Sequence, residues 1–197
     1  MILASGSGGS MAVTKSDVAE SARVAVLRWD GEYTLVSRER LATGSWLFTL
    51  DGKLTDVPTR YSVQLGHAVH LDVPDTYGLE AIMDRFYWRF MNHSCEPNAA
   101  VRHRDVFALR PIGPREEITF DYHTTEYELA EPFDCRCGSD RCVGRVRGFR
   151  FLSAEQRERL RPSLAEHLRS LLDDERARLA GADPQRRISE GRYVADH

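Results

Sequence analysis

Between residues 23 and 122 the apolar positions fall in short runs rather than long periods. Val24–Leu27 and Tyr33–Ser37 flank Asp30-Gly31, a dipeptide that suits the left-handed backbone of a two-residue hairpin turn. Trp46–Leu50 ends at a second such dipeptide, Asp51-Gly52. Tyr61–Leu65 alternates apolar and polar side chains, so one face of a strand is apolar, and Ala68–Leu71 resumes after Gly66. Ala99–Val101 and Val106–Leu109 form another candidate hairpin across Arg104-Asp105, and Ile118–Phe120 is a last short strand. Many short strands with closely spaced turns and little helix predict a compact, mainly β unit.

After residue 150 the pattern changes. Ser153 and Gln156 have the spacing of a capping box, in which each side chain satisfies a backbone donor at a helix start. Pro162 interrupts, and Leu164, Leu168, Leu171, Leu172 and Leu179 then recur at helical spacing, predicting a helix over 163–180 with one apolar stripe. Such a stripe docks on the body of its own chain or binds a partner helix; docking in cis is the expectation. Residues 181–197 have no period and read as a flexible tail, and Met1–Ser10 reads as an expression remnant. This divides the chain into a β unit over 23–122, a cysteine-bearing segment over 123–150 and a helical region over 151–180.

The charge balance narrows the partners. Asp and Glu outnumber Lys and Arg by 30 to 27, for a net charge of −3, so a specific nucleic-acid interface built on a basic surface is not expected. Among the basic residues only Lys15 and Lys53 are lysine, a bias that fits codon usage because arginine is spread along the whole chain. No run approaches the 18 or so apolar residues of a membrane span, and no signal peptide opens the chain, so the expectation is a cytoplasmic protein with reduced thiols. Nothing in the sequence sets an oligomeric state.

All four cysteines lie in polar, turn-rich surroundings: Cys95, and Cys135, Cys137 and Cys142 within DCRCGSDRCVG. Four thiolates complete a tetrahedral Zn²⁺ with no open position, a structural site; free thiols and disulfides are the alternatives, and the expected compartment disfavours disulfides. Gly138 and Gly144 allow the tight backbone of a metal knuckle.

Two further stretches are dense in hydrogen-bonding groups: Arg89-Phe-Met-Asn-His-Ser-Cys-Glu-Pro-Asn98, and Pro114–Tyr122, which sets a tyrosine directly after a short strand. RFMNHSCEPN, then ALRPIGPREEITFDY, then CRCGSDRCVGRVRGF together resemble a SET-domain protein methyltransferase with its cysteine-rich post-SET segment, of the small stand-alone bacterial type. The likeness is clear over 89–149 and weaker over 23–88.

That resemblance implies a SET fold of small sheets with a C-terminal pseudoknot, a zinc-binding post-SET segment and a C-terminal helix. It implies S-adenosylmethionine (AdoMet) as methyl donor, with Arg89, Asn92, His93, Phe133 and Gly138 on the cofactor side: the Asn92 side chain near the amino-acid moiety, the His93 backbone near the adenine, and 133–138 closing over both. It makes Tyr122 the catalytic tyrosine, orienting the amine or polarising the methyl, and Phe120 the residue that tunes how many methyl groups are added, unless it is simply core. It makes Cys95, Cys135, Cys137 and Cys142 the zinc ligands. The acceptor would be a protein lysine, or a small-molecule amine, since only about 20 residues, 66–84, stand where a peptide-shaping insert usually lies. A non-catalytic interaction module is the third reading.

Departures from the family pattern lie in the N-terminal half. Glu32-Tyr33-Thr34 stands where a Gly-x-Gly turn approaches AdoMet, Arg85-Phe86 where Gly-Asn is common, and Leu50 near the place of a channel tyrosine. Phe86, Tyr87 and Trp88 form an aromatic run that stacks on a cofactor or, as expected, joins the core.

Overall fold

The computed structural model describes residues 23–181, Asp30 excepted. The first predicted hairpin is β1 (Val24–Trp29) against β2 (Glu32–Ser37), with Gly31 at φ +86° in the turn. Next come β3 (Trp46–Thr49), β4 (Lys53–Thr55), β5 (Val63–Gly66) and β6 (Val69–Asp72). A short helix α1 (Leu79–Arg85) and a 3-10 turn over Tyr87–Phe90 lead to the two-residue strand β7 (Asn92–His93). Then follow β8 (Ala99–Arg102), β9 (Asp105–Ala108), β10 (Thr119–Phe120), β11 (Phe133–Asp134), β12 (Arg145–Val146), α2 (Ala154–Leu160) and α3 (Glu166–Gly181).

These strands make five small sheets: β1-β2, β3-β9-β8, β4-β6-β5, β11-β12, and the parallel pair β7-β10. All but β11-β12 contribute to one core, centred on Leu35, Leu41, Leu47, Phe48, Leu71, Val106 and Ile118, all essentially inaccessible. Phe86, Tyr87 and Trp88 are buried in it, as is Leu50, so the aromatic run is core. Arg85, at the end of α1, reaches Asp51 instead of opening a glycine turn.

Three expectations need correction. The hairpin expected across Arg104-Asp105 turns one residue earlier: Arg102 pairs with Asp105, leaving His103-Arg104 as the turn, with His103 at φ +56°. The helix expected over 163–180 is α3 over Glu166–Gly181, preceded by a separate 3-10 turn, Arg161–Ser163, where the Pro162 ring prevents continuous α-helical bonding. Leu179 leaves the expected stripe and is 75 % exposed, two turns past Leu172, the last leucine that the body covers.

The capping box at Ser153 forms with both bonds, and α3 docks in cis: Leu164, Leu168 and Leu172 pack with Phe149 and Leu152 in a second small core. Of the two terminal segments, Met1–Ser10 and residues 182–197 lie outside the described residues. Among the described residues no helix is long and apolar enough to cross a membrane.

Candidate functional site

The parallel pair β7-β10 is the foundation of the site. Parallel pairing of two-residue strands is weak by itself, so the side chains of the Asn-rich motif do much of the joining. Asn98, buried, donates from Nδ2 to the Glu117 carbonyl at 2.7 Å and accepts at Oδ1 from the Thr119 N–H at 2.9 Å. The Ser94 N–H donates to the Phe120 carbonyl, and the Tyr122 N–H donates to His93 Nδ1 at 3.2 Å. Segment 117–122 is thereby laced to 91–98 from both sides.

His93 can use only its backbone toward a ligand, because both ring nitrogens are engaged. With Nδ1 accepting, Nε2 carries the proton and points at Cys95 Sγ, 3.2 Å away. Burial holds the imidazole pKa down to about 4, against the nearby Asp121 carboxylate. Asp121 itself takes the neighbouring His123 Nδ1 at 2.7 Å.

Asn92 is exposed. Its Nδ2 donates to Glu117 Oε1 at 2.7 Å and lies 3.4 Å from the Tyr33 carbonyl. Its Oδ1 receives no hydrogen bond among the described residues, so a free carbonyl and the Glu117 carboxylate face outward together. That pairing suits a cationic amino group. The Glu32-Tyr33-Thr34 segment does approach Asn92, but as regular strand in the β1-β2 ladder. Glu117, a residue the motif reading passed over, also holds Thr34 through its carboxylate, so it ties β2 to Asn92.

Tyr122 follows β10, whose partner strand carries Asn92. Its hydroxyl donates to the Met91 carbonyl at 2.8 Å. Burial, then the Glu126 and Glu117 charges, push the phenol pKa above its ordinary value, so it stays a neutral donor at any physiological pH. Phe133, on β11, sits with its ring 5.8 Å from that of His93 and 6.0 Å from that of Tyr122, which puts the cysteine-rich segment over both. Phe120 packs 4.8 Å from Tyr122, and it is both buried and part of the cavity wall.

Tyr122 also lines a cavity. This cavity offers about 50 Å³, walled by Tyr61, Trp88, Met91, Phe120, Tyr122 and Glu126. At roughly 10–15 Å³ as the least that holds one water-sized group, that is room for a few heavy atoms, such as the end of an alkylamine. Arg89 falls here, on the cavity side, with its guanidinium 3.9 Å from the Tyr61 ring centre. Leu50 is not among the residues that line the cavity; one of its aromatic walls is Tyr61, which the strand pattern registered only as an apolar position.

The four cysteine sulfurs all lie within 4.8 Å of one another, and none is in a disulfide. A tetrahedral Zn²⁺ with bonds of about 2.3 Å separates its sulfurs by about 3.8 Å; Cys95 Sγ and Cys135 Sγ are 4.0 Å apart. The donor set therefore fits zinc. Gly144, at φ +74°, turns the chain so that its carbonyl takes the Cys135 N–H at 2.7 Å, and Gly138, at φ +71°, forms the turn between Cys137 and Ser139.

Residues 13–123, over half the chain, match the SET domain family, and this protein belongs to it. Among curated proteins it is 30 % identical over 131 residues to the H3 lysine-36 specific histone-lysine N-methyltransferase of Yarrowia lipolytica, covering 59 % of this chain and 17 % of that protein. It is 33 % identical over 87 residues to methyltransferase flvH of Aspergillus flavus, covering 42 % of this chain and 48 % of that protein. The match thus spans under half the length of either relative. Among solved structures, KRYPTONITE in complex with mCHG DNA and SAH aligns with a TM-score of 0.46 at 24 % identity, over 62 % of this chain and 28 % of that one.

Proposed function

We propose that the protein is an AdoMet-dependent N-methyltransferase whose acceptor is a lysine side chain of another protein. One observation carries the reading: Tyr122 lines the cavity, its hydroxyl is held by the carbonyl of Met91, the residue before Asn92, and the Phe133 ring packs against it. A methyl donor held on one side and an amine entering from the other would meet at this phenol.

When bound, AdoMet supplies the methyl group and the positive charge that leaves with it. Asn92 Oδ1 and Glu117 would hold the cationic amino group of its methionine part, and the His93 backbone would lie along the adenine. Phe133 would cover both, with the 135–138 turn behind it. Tyr122, neutral, would orient the amine lone pair, while Phe120 and Met91 exclude water, so that positioning and electrostatics lower the barrier. Phe120 adds no hydroxyl to this wall, which leaves room for an amine that already carries a methyl group. Zn²⁺ at Cys95, Cys135, Cys137 and Cys142 would fix Phe133 in place rather than take part in the chemistry.

A small-molecule amine is the second reading. The short 66–84 connection, occupied by β6 and most of α1, supports it. Calorimetric titration with AdoMet and with S-adenosylhomocysteine should give saturable heat that Asn92→Ala weakens. Intact-mass analysis of histone H3 and of free lysine, incubated with enzyme and AdoMet, then separates the two acceptors by which gains 14 Da increments. No heat and no thermal shift at millimolar AdoMet would leave the interaction-module reading in their place.

A further inference from the structure

Glu126 is not part of any motif that led to the site. It follows the 3-10 turn Tyr122–Thr124, and its side chain is about nine-tenths buried. Two bonds fix one oxygen: the Gln64 N–H donates to Oε1 at 2.7 Å, and Thr125 Oγ1 lies 3.2 Å from it. The Gln64 side chain answers by accepting the Tyr127 N–H at 2.8 Å, so β5 and this turn are laced twice. The second oxygen, Oε2, accepts no hydrogen bond among the described residues; its nearest partner is His70 Nδ1, at 3.9 Å. A carboxyl group with one oxygen tied and one open, in the wall of a cavity sized for an alkyl chain, is an unfilled site for a cation.

The surrounding charges do not fill it. From β6, His70 faces Glu126 with an unpartnered, buried Nδ1, and burial keeps that imidazole below its usual pKa. From α3, His167 is committed to the Thr125 carbonyl and is likewise depressed by burial. Across the cavity, Arg89 lies on Tyr61, and Arg60 lies near Tyr61 and 3.8 Å from Glu131, an exposed pair at the rim. Tyr122, in the same turn, is neutral. Asp72 acts on His70 and His67 on His167, one position further out.

Resting on the methyltransferase reading, we propose that Glu126 is the acceptor-recognition residue: its open oxygen receives the ammonium of an alkylamine and takes one proton from it. The balance is simple. R–NH₃⁺ and the carboxylate become R–NH₂ and the carboxylic acid. The amine lone pair then forms the N–C bond as the C–S bond of AdoMet breaks, its electron pair returning to sulfur. Burial raises the Glu126 pKa to about 7, closer to that of an amine than an exposed carboxylate would be, which makes the transfer less uphill. A neutral alcohol of the same length can donate one hydrogen bond to this oxygen but brings no charge to it, so the cavity discriminates by charge.

The probe is n-butylammonium, with 1-butanol as its neutral counterpart, titrated into the zinc-loaded full chain and followed by NMR shifts. Wild type should bind n-butylammonium about tenfold more tightly at pH 8 than at pH 6, because the carboxylate forms across that interval. Glu126→Gln keeps the acceptor for the Gln64 N–H; it should bind the cation at least tenfold more weakly at pH 8, with no pH dependence, and bind 1-butanol like wild type. Equal binding of the cation by both proteins, pH-independent binding by wild type, or failure of wild type to bind it at all would overturn the proposal. If Glu126→Gln does not fold, the wild-type pH dependence decides alone. Cation binding without methyl transfer to any acceptor would instead count against the methyltransferase reading and leave Glu126 as an ammonium site.

Discussion

Tyr122 places a single oxygen where two halves of the site meet, and that oxygen already has a partner in the Met91 carbonyl. Tyr122→Phe should therefore abolish methyl transfer, read by mass, while AdoMet affinity stays within a factor of about two. Stability should fall by about 1–2 kcal/mol in denaturant melts, the cost of a buried carbonyl losing its donor. Phe120→Tyr is the companion test. Phe120 belongs to both wall and core, so the variant should add fewer methyl groups per amine and lose about 1–3 kcal/mol through overpacking. Glu126 makes a pH-dependent contribution of its own. Its carboxyl pKa is raised by burial from 4.5 to about 7, so the folded state holds that proton more tightly than the unfolded chain does. That contribution, of about 3 kcal/mol, is complete below pH 4.5 and is lost as the pH rises through 7. Thermal melts at pH 5 and pH 8 should show a larger fall for wild type than for Glu126→Gln.

Individual elements differ in how much tertiary support they need. The helix α3 is held to the second core mainly by Leu168 and Leu172, so Leu168→Ala should cost about 2–5 kcal/mol and bring early hydrogen exchange across 166–181. That helix was legible because its stripe is periodic and its neighbour starts with a capping box. The first hairpin was legible for a similar local reason, the Asp30-Gly31 turn. By contrast, α1 has no side-chain cap at Gly78 and only seven residues, so no local signal announces it. β4 is three residues with a mostly exposed face, and β7, β11 and β12 are two residues each, too short for any period, whereas β10 was legible as part of the Ile118–Phe120 run. Of the site, the motif residues Asn92, His93, Tyr122 and the cysteines could be read because they cluster in sequence. Tyr61 and Glu126 could not: they meet across the cavity from positions 65 apart, and neither has a distinctive neighbour in the chain.

At the scale of the molecule, the four cysteines join segments that the hydrophobic cores leave separate. Cys95 belongs to the main core's edge, Cys135–Cys142 to the strand pair β11-β12, which carries Phe133. Elemental analysis should give about one Zn²⁺ per chain, and Cys137→Ser should lower both zinc content and melting temperature. Chelation should first free the 133–146 segment and weaken AdoMet binding, before the main core melts, since none of that core's residues lies in the segment.

The parallel pairing of β7 with β10 has a consequence in time. Its two strands bracket the whole β8-β9 hairpin, so their bonds must close the loop of residues 94–118 between them. Loop-closure entropy must be spent before these contacts return anything, which slows their formation relative to the local hairpins. The chain would thus assemble β1-β2 and β8-β9 early and draw 117–122 against 91–98 late. The pairing that holds Tyr122 then follows those two hairpins, and pulse-labelled hydrogen exchange would find its amides protected later than theirs.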